Sequence, residues 1–118
     1  MKLSVPAVLS AVLFSTASNA QVPCSVYSGS WPSNAAAAPY SKVLDSFWHA
    51  SFETTTATLD PVTRHFEITN KSARRRVVCH YYRGQICFWI NAGHTCITTL
   101  ATNFINPSNP GIVYHWIA

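Results

Sequence analysis

From Asp60 onward the chain breaks into short apolar runs separated by turn residues at regular intervals, and this punctuation constrains the fold more than any other feature. Runs at 64–69, 75–82, 85–90 and 95–100 are of strand length and rich in Val, Ile, Phe, Tyr, Trp and Thr, residues that suit a pleated, half-buried surface. Between them stand Asn70-Lys71-Ser72-Ala73, Arg83-Gly84 and the segment 91–94, each of hairpin length with a turn-forming residue. The pattern predicts a β meander. A last strand is expected over 111–117, after a loop whose Asn106-Pro107 and Asn109-Pro110 steps keep it out of the interior of a ladder. Upstream, 22–27 reads as a further strand. The segment 41–49 reads as a short helix capped by Ser41, with Val43, Leu44, Phe47 and Trp48 at helical spacing. The expected fold class is mainly β, an antiparallel sandwich or open barrel stapled by disulfides.

The chain opens with Met1-Lys2-Leu3, an apolar run over 5–14 and then Ser15-Thr16-Ala17-Ser18-Asn19-Ala20. A basic start, an apolar stretch and a small-residue cleavage site, in that order, predict a secretory signal peptide over 1–20. A membrane span needs roughly 20 consecutive apolar residues, so the run is an address and no membrane partner is expected. The remainder, 21–118, is expected to form one secreted domain, because about 100 residues build a single core. Its destination is extracellular, with uptake into a host cell as a further step. Hydrophobic residues make up 48% of the chain and charged ones 10%, a balance that excludes a disordered tail. The formal net charge is +4, and only Arg74-Arg75-Arg76 concentrates it, which reads as a solvated strand end.

Cys24, Cys79, Cys87 and Cys96 all follow the cleavage site. An even number of cysteines in a small secreted chain predicts two disulfides, with three possible connectivities. A zinc site from Cys79-His80 and His94-Thr95-Cys96 lacks any C-x-x-C pair, so no metal and no cofactor is expected. If each turn takes its simplest length, Tyr82 faces Gln85, His80 faces Cys87 and Trp89 faces Cys96 across successive hairpins. One face then carries Phe66, Ile68, Val77, Cys79, Tyr81, Ile86, Phe88, Ile90 and Ile97 as the core. The other carries His65, Glu67, Arg76, Val78, His80, Cys87, Trp89 and Cys96. Only Cys87 and Cys96 share a side among the three clustered cysteines, which favours Cys24–Cys79 and Cys87–Cys96. One glycosylation acceptor, Asn70-Lys71-Ser72, falls in an expected turn.

The mixed face gathers a carboxylate, an arginine and two histidines, namely Glu67, Arg76, His65 and His80. Acid–base cleavage of a phosphodiester uses such a set, with proton acceptor, proton donor and a cation for the charged intermediate. The stretch Arg76-Val77-Val78 with Gly93-His94-Thr95 resembles the arginine and histidine strands of fungal guanyl-specific ribonucleases. That resemblance implies RNA cleavage or RNA binding. In those ribonucleases a longer connection separates the glutamate and arginine strands, whereas one tight loop separates Glu67 from Arg76. The competing reading is a polar sheet face with a Glu67–Arg76 cross-strand pair. Aromatics are abundant, with Trp31, Trp48, Trp89, Trp116, Tyr81, Tyr82 and Tyr114 among them. Those left at the surface suit a protein or glycan contact. In format, the chain resembles small secreted fungal effectors, some of which are disulfide-stapled sandwiches of the MAX type. This resemblance implies a monomeric virulence protein that acts by binding a host protein, with RNA as the alternative partner, and not by turnover.

Overall fold

The computed structural model describes residues 22–42 and 46–118, so the signal peptide expected over 1–20 lies outside the described residues. Among the described residues nine strands run in chain order: β1 Ser25–Tyr27, β2 Ala36–Pro39, β3 Trp48–Phe52, β4 Thr55–Leu59, β5 His65–Asn70, β6 Arg76–Tyr81, β7 Gln85–Ile90, β8 Thr95–Thr99 and β9 Ile112–Ile117. They form two antiparallel sheets packed face to face, one of four strands in the order β8-β5-β4-β3 and one of five in the order β1-β7-β6-β9-β2. The architecture is a β-sandwich and no barrel closes. Among the described residues the helical turn is a 3-10 segment, Thr102–Phe104, and no helix is long and apolar enough to cross a membrane.

The core follows from alternation along the strands. Ala50, Ala57, Leu59, Phe66 and Ile68 line the inner face of the four-stranded sheet, opposite Val78, Phe88, Ile90 and Val113 of the other. Phe66 and Phe88, with ring centroids 6.0 Å apart, meet across the interface. A second buried group, Val77, Cys79, Cys87 and Trp116, lies on the outer face of the five-stranded sheet. It is buried because Tyr27, Trp31, Trp89 and Tyr114 pack over it.

The meander holds at one of its three expected hairpins. β6 and β7 pair, with Tyr81 opposite Gln85 and Cys79 opposite Cys87. The loop is therefore Tyr82-Arg83-Gly84, one residue longer than the minimal turn, with Arg83 at φ 53° and Gly84 at φ 122°. That extra residue reverses β6, so Val78, His80 and Arg76 face the sandwich interior while Val77, Cys79 and Tyr81 face outward. The other two loops switch sheets. β5 pairs with β4 and β8, so 71–75 and 91–94 are crossovers between layers. Cys96 consequently points inward and is buried, while Ile97 is only half-buried.

The disulfides follow from these pairings and correct the favoured connectivity. Cys79 and Cys87 face each other across one hairpin with Cα atoms 4.0 Å apart. Cys24 joins Cys96, at a Cα separation of 4.8 Å, and spans 72 residues. The helix expected over 41–49 is also corrected at its ends. Ser41 bridges His49 in antiparallel fashion, and Trp48 and His49 begin β3, where Trp48 pairs with Leu59. Residues 43–45 lie outside the described set. The β-branched Thr55 and Thr56 favour the extended state of the strand that follows.

Asn70 is the corner residue at which both crossovers meet. Its Nδ2 donates to the carbonyls of Arg74 (2.9 Å), Ile90 (3.1 Å) and Asn91 (3.2 Å). Its Oδ1 accepts from the Ser72 amide and hydroxyl and from the Thr55 hydroxyl. The side chain has no exposed surface, so the glycosylation expected at Asn70 finds its acceptor nitrogen enclosed and fully bonded in the fold.

Candidate functional site

The two outer faces of the sandwich differ in chemistry. On the four-stranded sheet the register sets Ser51, Thr56, Thr69 and Thr95 in one cross-strand row and His49, Thr58, Glu67 and Ile97 in the next. This is a hydroxyl-rich surface of ordinary polarity. On the five-stranded sheet the outward positions are aromatic, and their rings form a connected series. Tyr81 meets Tyr114 at 6.0 Å, Tyr114 meets Trp31 at 5.0 Å, Trp31 meets Trp116 at 5.4 Å and Trp116 meets Tyr27 at 5.7 Å. Trp116 is buried beneath the others, Tyr81 is exposed, and Tyr27, Trp31, Trp89 and Tyr114 are half-buried.

One cation sits on this face and another in the loop at the opposite end of its sheet. The Arg75 guanidinium lies 4.5 Å above the Trp89 ring and donates from Nε to Asn91 Oδ1 at 3.0 Å. Arg83, in the β6–β7 loop, lies 5.6 Å from the Tyr82 ring. All side-chain carboxylates among the described residues, Glu53, Asp60 and Glu67, belong to strands or turns of the other sheet. Beside Trp89 a hollow of about 150 Å³ opens, lined among others by Val22, Pro23, Asn91, His94 and Thr95.

A second cluster closes one end of the sandwich. Arg76, only 2% exposed, pairs through Nη2 with Glu53 and donates from Nη1 to His115 Nδ1 at 3.3 Å. The His115 ring stacks on Phe52 at 3.9 Å. Burial pushes the His115 pKa down, the Arg76 charge pushes it further, and Glu53 opposes both. The imidazole is therefore neutral, accepting at Nδ1. Glu53 and Thr54 form a two-residue turn between β3 and β4 with φ of 47° and 59°. A notch of about 110 Å³ beside this cluster is lined in part by Asn34, Glu53, Arg76 and His115.

The four residues expected to form an acid–base site do not converge. Arg76 and His80 point into the interior from β6. His65 and Glu67 alternate with the buried Phe66 and Ile68 on β5 and so lie on the outer face of the opposite sheet. His80 is a core residue. Its Nε2 donates to the Phe104 carbonyl at 2.8 Å, which leaves Nδ1 to accept from the Tyr40 hydroxyl at 2.7 Å. Burial holds the His80 pKa down, against the raising effect of the Phe104 carbonyl, and holds the Tyr40 phenol well above its usual value. His65 borders a shallow hollow with Pro23, Ile97, Thr98 and Thr99. Among the described residues no group of three or more His, Cys, Asp and Glu is arranged to hold a metal ion.

Sequence reasoning placed Arg76 in a polar cluster but missed its partners Glu53 and His115. Glu53 lies in a turn that no Gly or Asn announces, and His115 shows only in the alternation of β9. No family model, no curated protein and no solved structure matches the chain.

Proposed function

We propose that this protein is a secreted interaction module of the effector type, which binds a host macromolecule through the outer face of its five-stranded sheet. The observation that carries the reading is the connected, half-exposed aromatic series on that face. Aromatic rings supply large contact area with few torsions to freeze, and they dominate binding hot spots. Tyr81 is exposed and Trp89 half-buried, so both leave part of their rings open to a partner. Two disulfides in a small β domain are compatible with an oxidising, extracellular destination.

The test compares two pairs of substitutions in the oxidised protein. Tyr81→Ser with Trp89→Ala alters the aromatic face, and Ser51→Ala with Thr56→Ala alters the opposite one. Each is measured for binding to immobilised host fractions of protein, RNA and polysaccharide. The expected result is retention on one fraction that the aromatic-face pair abolishes and the opposite-face pair preserves. Equal loss in both pairs, or no retention of the unsubstituted protein on any fraction, overturns the reading. Export is tested separately by N-terminal sequencing of the form released into the medium by a eukaryotic secretory host, with Gln21 as the expected first residue.

A further inference from the structure

We infer that the ligand of this face is single-stranded nucleic acid, anchored at the end where Arg75 lies over Trp89. The inference rests on the interaction reading above and names the chemistry of its partner. Three observations converge on it. The side-chain carboxylates are partitioned by sheet: among the described residues Glu53, Asp60 and Glu67 all belong to strands or turns of the four-stranded sheet, which is also flanked by Arg64 and Lys71, while Arg74, Arg75 and Arg83 flank strands of the five-stranded sheet. The strands and loops of that sheet thus bring cations and, among the described residues, no side-chain carboxylate of their own; Glu53 borders the face only at the notch beside Trp116, where it is paired with Arg76, and this balance suits an anionic polymer. Its spacing also suits a strand of nucleotides. Arg75 and Arg83 bracket the six residues of β6, a span of roughly 20 Å at the rise of a β-strand, with stacking surfaces between them. Bases stack on such surfaces without regard to sequence, and arginine beside an aromatic ring adds to the attraction.

The third observation is the hollow beside Trp89. Its volume of about 150 Å³ is below that of a drug-sized pocket, and it combines the Trp89 ring with polar groups. Asn91 Oδ1 is held by Arg75, which orients its amide NH₂ as a donor. His94 Nδ1 donates to the Ala92 carbonyl at 2.9 Å, which leaves Nε2 as an acceptor when the ring is neutral. A planar group carrying both an acceptor and a donor at its edge is the chemistry that this pair of side chains would recognise. An uncharged polysaccharide would use the rings but gain no charge attraction from the arginines. A base-paired duplex would use the arginines but could not present its bases to Trp89.

The experiment is fluorescence anisotropy of a labelled oligouridylate and of an RNA duplex of equal length, titrated with the oxidised protein. If three phosphates are contacted, single-strand affinity is expected to fall about 20-fold between about 50 mM and about 200 mM salt. Trp89→Ala is expected to weaken it by about tenfold or more, and Arg75→Gln to flatten the salt dependence. Tyr81→Ser, at an exposed position, gives a second variant that removes only the edge contact with Tyr114, and thermal melting confirms that each variant folds. Equal binding of duplex and single strand, or indifference to both Trp89→Ala and Tyr81→Ser, reduces the effect to charge attraction and overturns the inference. So does tighter binding of a sulfated glycan with the same Trp89 dependence. Absence of oligonucleotide binding, with a host protein still bound through Tyr81 and Trp89, removes this inference while leaving the interaction reading standing.

Discussion

Asn70 shows how one residue type can carry two opposite meanings. In the sequence, Asn70-Lys71-Ser72 is a surface acceptor for a glycan, yet in the fold the amide closes both crossovers between the sheets. Ser72 and Thr55 complete its bonding, so the serine that makes the acceptor motif serves as a structural partner. Asn70→Ala leaves buried carbonyls without donors and is expected to destabilise the fold by about 3 kcal/mol, read as a lowered urea midpoint. Folded protein recovered from a eukaryotic secretory host is expected to show no mass shift on treatment with an N-glycosidase. Two histidines set the pH response. His80 and His115 are both held below the ordinary histidine value by burial, so the unfolded chain takes up protons that the folded chain refuses. Their contribution to stability is therefore complete above about pH 6.5 and declines as the pH falls below it. Tyr40 and the Phe104 carbonyl face His80, and Arg76 and Glu53 face His115. Thermal midpoints measured from about pH 7.5 to about pH 5 are expected to fall, and His80→Gln with His115→Gln to flatten that slope.

At the scale of elements, strand positions were legible and strand partners were not. The runs at 64–69, 75–82, 85–90 and 95–100 match β5 to β8 closely, because alternation and β-branched content act locally. Pairing depends on whether a loop turns back within a sheet or crosses to the other, and 91–94 has the composition of a hairpin while serving as a crossover. One residue in the β6–β7 loop decided more. It brought Cys79 opposite Cys87 and turned His80 and Arg76 inward, while the 71–75 crossover left His65 and Glu67 on the other sheet. The β3–β4 hairpin escaped notice for a related reason. Its turn residues Glu53 and Thr54 both have positive φ, which two-residue hairpin turns demand and which Asn-Gly normally supplies. A β-branched residue is strained there, so Thr54→Gly is expected to stabilise the protein by about 1 kcal/mol while leaving Glu53 on Arg76. Matched chemical denaturation curves check this, and a destabilised variant contradicts the strain.

At the scale of the molecule, the sequence made the fold class and the presence of two staples legible, while the division of character between the two outer faces emerges only from topology. Arginines and aromatics distant in sequence share one sheet because β1, β6, β7 and β9 are gathered there. The staples differ in reach. Closing a 72-residue separation removes more freedom from the unfolded chain than closing one of 8 residues, with expected contributions of about 4 and about 2.5 kcal/mol respectively. Replacing Cys24 and Cys96 by serine should accordingly lower the thermal midpoint more than replacing Cys79 and Cys87. Every lysine and arginine after residue 20 lies between Cys24 and Cys96, inside the covalent ring those two sulfurs complete. A trypsin-like enzyme that nicks the oxidised chain once therefore opens the ring without severing it. Such a nicked molecule, whether or not the protein is exported, should migrate as one band until a thiol reductant parts it into two.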